Sequence, residues 1–504
     1  MSDGVLIGID VGTSALKAAA YSADDGALLG HFHRRLPIDA DEDGRREQDV
    51  AELERSLHRA FRKLRQQLGP CWSEIRGIGL ASQAGSSILA DRSTGNALTS
   101  MVLWNDLRGL GYLSELSRQR TPEYWQALAL RATPWKGLGQ LVMLRVRFPE
   151  LMDARVIHVG AGEYLFHRLT GTWRQDAGHA VQMGYYDVQR RNVVPKLLDL
   201  AGVPRTFVAP MRRGHPTERL RYEWARRWGL SPDVLVAGPY MDHEAGYLSA
   251  CGVSERPLVC SLGTAWVAGF TLPIVDWESC GSAIALPAPV GDGQLLLKES
   301  PAGSEVLNWA TTQLIRRRRA WARRSSRAWL AMGATPTGVV CIPWHNQLHP
   351  YAEGSVGAGV FTGLGLATRA EDMVLAVATS LSFELARILE DVASSGIVDR
   401  VVLAGGSSGF RVFQQQIAVL FSPLPCVVVT DEQLSGTRGA IYPFAPKAAT
   451  GAAVAPVKLP PARVQERLLR RYTWHKDLVA RLGCPHGEAM PVRVRVPDQA
   501  EGCG

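Results

Sequence analysis

The chain reads as an α/β protein made of two related halves, and three observations predict it. Residues 5–14 (VLIGIDVGTS) and 256–265 (RPLVCSLGTA) share one plan, an apolar strand that runs into a Gly-Thr turn, about half a chain apart. Strands in each half alternate with helical patterns, as in sheets layered with helices. The length, 504 residues, exceeds one ordinary domain.

The elements follow in order. Residues 5–10 form a strand, 16–22 a second and, after the turn Asp24-Asp25-Gly26, 27–34 a third. Together they make a meander. Glu47-Gln48-Asp49 then places acids ahead of Val50, Leu53, Leu57, Phe61 and Leu64, whose spacing of three and four is that of an amphipathic helix. Strands are expected at 75–81 and 87–91. A helical stretch follows at 109–170, with stops at Phe148-Pro149 and Thr170-Gly171. A strand at 234–238 reaches Pro239-Tyr240-Met241-Asp242-His243. The second half repeats the plan from about Gly246. It carries a long helix at 370–394, then a strand at 400–404 that runs into Gly405-Gly406-Ser407-Ser408. Residues 447–460, rich in Ala and Pro, read as a linker, 462–482 as a helix and 485–504 as a loose tail. The expected domains are 1–246, 247–446 and a C-terminal extension, 447–504.

Composition narrows the class. Hydrophobic residues make up 46% and charged residues 21%, ordinary for a globular protein. No apolar run approaches the ~20 residues that span a bilayer. The N-terminus lacks a basic leader and reads directly as a strand. Eight cysteines without a CxxC pair suit free thiols in a reducing compartment, so a cytoplasmic location is expected. The net charge of +8 is spread along the chain except at Arg316–Arg327, RRRRAWARRSSR, which reads as an exposed Arg-rich helix or loop. Interleaved aromatics and zinc-finger spacing are missing there, so no nucleic-acid partner is expected. No membrane partner is expected either, and a homodimer is compatible with the sequence.

Neither GxxxxGK[ST] nor GxGxxG after a strand occurs, which argues against P-loop and Rossmann sites. Three other pieces carry chemistry. Asp10 at a strand end beside Gly12, Thr13 and Ser14 suits a Mg²⁺–phosphate site, or a plain hairpin turn. Gly405-Gly406-Ser407 at a strand-to-helix turn allows close approach of a flat or charged ligand, or is a tight turn only. Asp242, past a buried strand, suits a general base, or a cap on a helix at 244–250.

Seven segments then run in register: GIDVGTSALK at 8–17, GIGLASQAGSSILAD at 77–91, LWNDLR at 103–108, AGPYMDHEAGYLSACGV at 237–253, SLGT at 261–264, GVFTGL at 359–364 and LAGGSS at 403–408. The series closely resembles the FGGY carbohydrate kinase family, which includes glycerol, xylulose and gluconate kinases. The resemblance covers 5–445, and the helix at 462–482 matches the family's C-terminal helix. It implies two actin-like (ribonuclease-H-like) α/β domains with the active site in the cleft between them. It implies ATP and Mg²⁺, with Asp10 and Asp242 on the metal side and Asp242 as catalytic base. Gly12, Thr13, Ser14, Lys17, Gly263 and Thr264 would meet the phosphates, and Gly405, Gly406, Ser407 and Asn308 the nucleoside. Gln83, Trp104, Asp106 and His243 would face the acceptor.

Two departures stand out. Relatives carry Gln-Met-His or Gln-Arg-Glu where this chain has Gln83-Ala84-Gly85, and a Gly-Glu-Arg becomes Gln347-Leu348-His349. The nucleotide parts look intact and the acceptor pocket rebuilt, with room left by Ala84 and Gly85 for a larger or cyclic acceptor than glycerol or D-xylulose. The expected reaction is phosphorylation of a hydroxyl on a sugar, sugar acid, polyol or cyclitol. The alternatives are an actin-like regulatory ATP-binding protein and a pseudokinase.

Overall fold

The structure, a computed structural model, describes residues 4–129, 133–273, 283–315, 338–345, 359–430 and 434–482. The Arg316–Arg327 cluster, Gln347-Leu348-His349 and the tail at 485–504 lie outside the described residues. The chain forms two compact units. The first takes Met1–Val253, Ala285–Leu295 and Leu434–Ala452; the second takes Ser254–Ile284, Leu296–Gln433 and Ala453–Gly504.

In the first unit, β1 (Val5–Val11), β2 (Ala15–Ser22) and β3 (Leu28–Arg35) form the expected meander. Helix α1 (Val50–Leu68) starts where Asp49 accepts a hydrogen bond from the Ala51 N–H at 2.9 Å, and its apolar stripe is buried. Glu47 and Gln48 belong instead to a short strand, Arg46–Gln48. Next come β4 (Ile75–Ser82), α2 (Ala161–Thr170), α3 (Ala177–Gln182), β5 (Thr217–Arg219), β6 (Leu235–Met241) and α4 (Asp242–Ala250). Two sequence expectations shift. The helical stretch at 109–170 contains a strand, Val156–Val159, whose four residues are all buried. The strand at 234–238 runs on to Met241, because Gly238 at φ +108° lets it pass Pro239 with a register shift against β4. The sheet order is β5-β6-β4-β1-β2-β3, with β1 antiparallel to β2 and parallel to β4. One apolar core cluster includes Ile7, Ile9, Phe61, Leu64, Ile78, Leu80 and Phe166.

A second sheet repeats this plan. Its strands begin with β7 (Pro257–Leu262), β8 (Trp266–Leu272), β9 (Ile284–Pro287) and β10 (Gln294–Glu299). Helices α5 (Ser304–Gln313) and α6 (Ala370–Ser394) precede β11 (Arg400–Ala404) and β12 (Cys426–Val429). The chain then contributes α7 (Ser435–Ala440) to the first unit, and β13 (Val454–Pro456) and α8 (Ala462–Leu482) to the second. The order is β9-β10-β8-β7-β11-β12-β13, with β7 antiparallel to β8 and parallel to β11. Strand for strand, β13-β12-β11-β7-β8-β10 matches β5-β6-β4-β1-β2-β3.

The linker expected at 447–460 is not one. Pro446–Thr450 is a helical turn, and β13 is the sheet's edge strand. Pro456 fits that edge because it has no N–H to give a further strand. Within the second unit α8 is anchored by His475, whose Nε2 lies 2.7 Å from Glu384 Oε1 on α6. Arg387 donates to the same carboxylate, which these partners hold down at about 2 against its burial.

Candidate functional site

Asp10 sits near the end of β1, buried, directly across from Lys17 on β2. Lys17 Nζ stands 3.7 Å from Asp10 Oδ2, while Oδ1 is buried with no hydrogen-bond partner among the described residues. Burial pushes the Asp10 carboxyl above its usual value. Lys17 opposes that, the charge of Asp242 adds to it, and His243 opposes it. Asp10, Lys17, Asp242 and His243 therefore share one electrostatic neighbourhood. A buried carboxylate with a spare oxygen beside a second carboxylate is the donor set Mg²⁺ accepts, since that ion takes one or two carboxylates and completes its shell with water and phosphate. Among the described residues no group of three or more His, Cys, Asp or Glu could hold a metal by itself.

Asp242 is the first residue of α4, partly exposed, and its Oδ1 accepts the His243 N–H at 2.8 Å. Four glycines set its place. A Cβ on Gly8 would lie 1.8 Å from Thr437 O, and one on Gly79 would lie 1.9 Å from Ala440 O. A Cβ on Gly439 would lie 1.7 Å from Ala245 O, and one on Gly436 would lie 2.7 Å from Asp10 Oδ2. Helix α7 is thus pressed backbone to backbone onto β1 and β4 on one side and α4 on the other. The carboxylates at the ends of β1 and at the start of α4 hold their spacing through it.

A buried ion cluster fixes α4 a second time. Arg212 donates to both oxygens of Glu244 at 2.8 and 2.9 Å, and to Asp176 Oδ1 at 3.1 Å. Its guanidinium also lies over the Tyr240 ring at 4.3 Å. Burial opposes the Arg212 charge, yet its two carboxylate partners hold its pKa above the ordinary value. Asp176 in turn caps α3 by accepting the His179 N–H at 3.1 Å.

On the expected acceptor side, Thr13 Oγ1 donates to Gln83 Oε1 at 3.0 Å and accepts from Trp104 Nε1 at 2.9 Å. The Thr13 hydroxyl thus orients Gln83 and Trp104 instead of pointing freely at a phosphate. Ser14 is exposed, and a Cβ at Gly12 would meet only Ala15 O at 3.5 Å. Asp106 is not open to a ligand. Its carboxylate accepts from the Arg46 N–H at 2.7 Å and from Arg108 Nη2 at 2.7 Å, and its side chain is 1% exposed. It braces the loop that presents Trp104, which is 38% exposed. Ala84 is buried, and Gly85, at φ +78°, donates its N–H to His179 Nδ1 at 3.2 Å. Burial lowers His179 to about 4, so it is neutral near pH 7 with its proton on Nε2. The room expected beside Gly85 is taken: a Cβ there would lie 2.6 Å from Gln182 Oε1 and 3.2 Å from Trp104 Cβ.

In the second unit, Ser261 lies near the end of β7 and Gly263 and Thr264 in the turn that follows, with Thr264 exposed. Gly405 has φ +87°, and a Cβ there would meet Leu262 N at 2.8 Å. Ser407 N–H bonds Leu262 O at 3.0 Å, and its hydroxyl lies 2.7 Å from Ser304 Oγ at the start of α5. A Cβ on Gly406 would touch nothing within 4 Å, so its backbone faces open space. Asn308 is exposed on α5, two turns or less from Ser304. The unit thus gathers Gly263–Thr264, Asn308 and Gly405–Ser407 around one loop cluster.

Residues 5–249 match the family model of the N-terminal domain of FGGY carbohydrate kinases, and 258–443 match that of the C-terminal domain. The chain belongs to the FGGY family of carbohydrate kinases. It is similar to a probable L-xylulose kinase of Pasteurella multocida, 25% identical over 61% of this chain and 64% of that one. It is also similar to an L-fuculokinase of Escherichia coli, 26% identical over 40% of this chain and 43% of that one. These stretches span less than two thirds of the two relatives. A gluconate kinase structure from Lactobacillus acidophilus superposes with a TM-score of 0.79 at 19% identity, over 95% of this chain and 98% of that one. The fold is accordingly the two-domain, actin-like α/β fold of FGGY kinases.

Several residues of this FGGY site escaped the sequence reading. Gly436 and Gly439 lie in SGTRGA, late in the chain, and only a close glycine pair marked them. Arg212 and Gln182 carry no motif, and Glu244 stands inside the segment at 237–253 with nothing local to mark its role.

Proposed function

We propose that the protein is an ATP-dependent kinase that phosphorylates a hydroxyl of a small sugar or polyol. The observation that carries this is the neighbourhood of Asp10, Lys17 and Asp242, which keeps two carboxylates and one cation together at the ends of β1, β2 and β6. Asp242 takes the proton of the acceptor hydroxyl as that oxygen attacks the γ-phosphorus of ATP, and ADP leaves. The start of α4 is a sound place for such a base, because Glu244, Arg212 and α7 leave the helix no freedom to swing. Lys17 offsets charge near the transferred group. Asp10 and Asp242 would hold Mg²⁺, which supplies charge neutralisation on the phosphates. Gln83, Trp104 and His243 face the acceptor. Gly263, Thr264, Asn308, Gly405, Gly406 and Ser407 take the nucleotide.

Incubating the protein with Mg-ATP and a panel of sugars, polyols, cyclitols and sugar acids, followed by mass detection, tests the reading. A product heavier by one phosphoryl group is expected. ATP binding without any phosphorylated acceptor would favour a non-catalytic family member.

A further inference from the structure

The corner of the first unit around Gly85 contains polar groups that no protein partner satisfies. Gln182 ends α3 half-buried, and among the described residues its amide has no hydrogen-bond partner. Its Oε1 curls over Gly85, next to Trp104. Gln83 Nε2 is buried there without an acceptor, although its Oε1 receives bonds from Thr13 and Ser86 at 3.0 and 3.1 Å. A buried amide left unpaired has given up its hydrogen bonds to water without replacement, so such groups persist where a ligand completes them.

The side chains at this corner, Gln83, Trp104 and Gln182, are uncharged. Among the cations of the first unit, Lys17 pairs with Asp10, Arg108 with Asp106 and Glu47, and Arg212 with Asp176 and Glu244. His179 is buried and lacks a charge at pH 7. A carboxylate can only accept from a glutamine amide, whereas a hydroxyl can both donate to it and accept from it.

We infer that Gln182 is a specificity-determining residue: with Gln83 and the exposed face of Trp104 it reads an uncharged hydroxyl-bearing part of the acceptor, in place of the side chains that Ala84 and Gly85 do not supply. This rests on the kinase reading above. Because Gln182 occupies the space over Gly85, the acceptor binds against the amide and not in a hole beneath it.

The test uses the full chain with Mg-ATP and matched pairs of acceptors, a neutral polyol or sugar against the corresponding sugar acid. Gln182→Leu keeps most of the bulk and removes both hydrogen-bonding functions; Gln182→Ala serves as the second variant, with thermal melts to confirm folding. The wild type should prefer the neutral member of each pair. Gln182→Leu should lower acceptor kcat/KM roughly 10- to 100-fold, mainly through KM, and leave the KM for ATP within about 2-fold. Unchanged acceptor kcat/KM in both folded variants would overturn the role of Gln182 while the kinase reading stands. Preference for the sugar acid would overturn the neutral subsite. Absence of any product from the wild type would remove the kinase reading and this inference with it.

Discussion

The two Gly-Thr turns sit at the same place in the same strand plan but have diverged in chemistry. At the first, Asp10 faces Lys17 across the β1–β2 pair; at the second, Ser261 faces Val267 across β7–β8. Thr13 spends its hydroxyl on Gln83 and Trp104, whereas Thr264 is exposed and makes no hydrogen bond through its side chain among the described residues. Single glycines differ as well: Gly8 is pressed against α7, while Gly406 in the second unit faces open space. Duplicated topology supplies two similar backbones. The two turns differ in buried charge: the first carries a buried carboxylate at Asp10, the second Ser261.

The largest expected effect tests the charged turn's neighbour. Asp242→Asn keeps the shape of α4 and removes the proposed base, so kcat should fall roughly 10²–10⁴-fold with folding intact. Near-normal turnover by a verified variant would take Asp242 out of the mechanism. A smaller effect should separate the turns directly. Asp10→Asn should raise the KM for Mg-ATP roughly 10- to 100-fold, while Ser261→Ala changes it by less than about 3-fold. Equal effects at both positions would mean that the turns remain chemically alike.

Glycine packing gives a third contrast. Gly439→Ala forces a Cβ into the Ala245 carbonyl and should cost about 1–3 kcal/mol, read as a lower melting temperature together with lower kcat. Gly406→Ala should leave the melt unchanged and weaken ATP binding. A nucleotide affinity unaffected by Gly406→Ala would remove that loop from the nucleotide site.

The smallest effect concerns pH. His167 in α2 stacks on Trp173 at 3.7 Å, and its burial, with Arg221 and Arg168 nearby, lowers its pKa to about 4. The unfolded chain, with an imidazole near 6.5, binds this proton first as pH falls. The His167 contribution therefore destabilises the fold progressively from about pH 6.5 down to about 4 and is absent above 6.5. In the second unit the buried His475 has the Glu384 carboxylate to bond and Phe383 beside it. His167→Phe keeps the stack, so its melting temperature should rise relative to wild type as pH drops through that window. A difference that stays flat with pH would show that His167 titrates alike in the folded and the unfolded chain.

Much of this protein was set by its sequence alone. The repeated strand-and-turn plan, the meander, the helices over 370–394 and 462–482 and the family signatures follow from local periodicity and turn chemistry, which need only near neighbours. Asp10 and Asp242 were legible for the same reason, each standing at a strand end beside a distinctive turn. Tertiary structure decided the rest. The segment at 434–452 belongs to the first unit because Gly436 and Gly439 allow α7 to press against Asp10 and α4, a fit no local pattern announces. Asp106 turned from ligand group to brace because Arg108 and the Arg46 N–H surround it. The space at Ala84 and Gly85 was filled by Gln182, about a hundred residues away in the chain, because only packing determines which distant side chain takes a gap left by a small one.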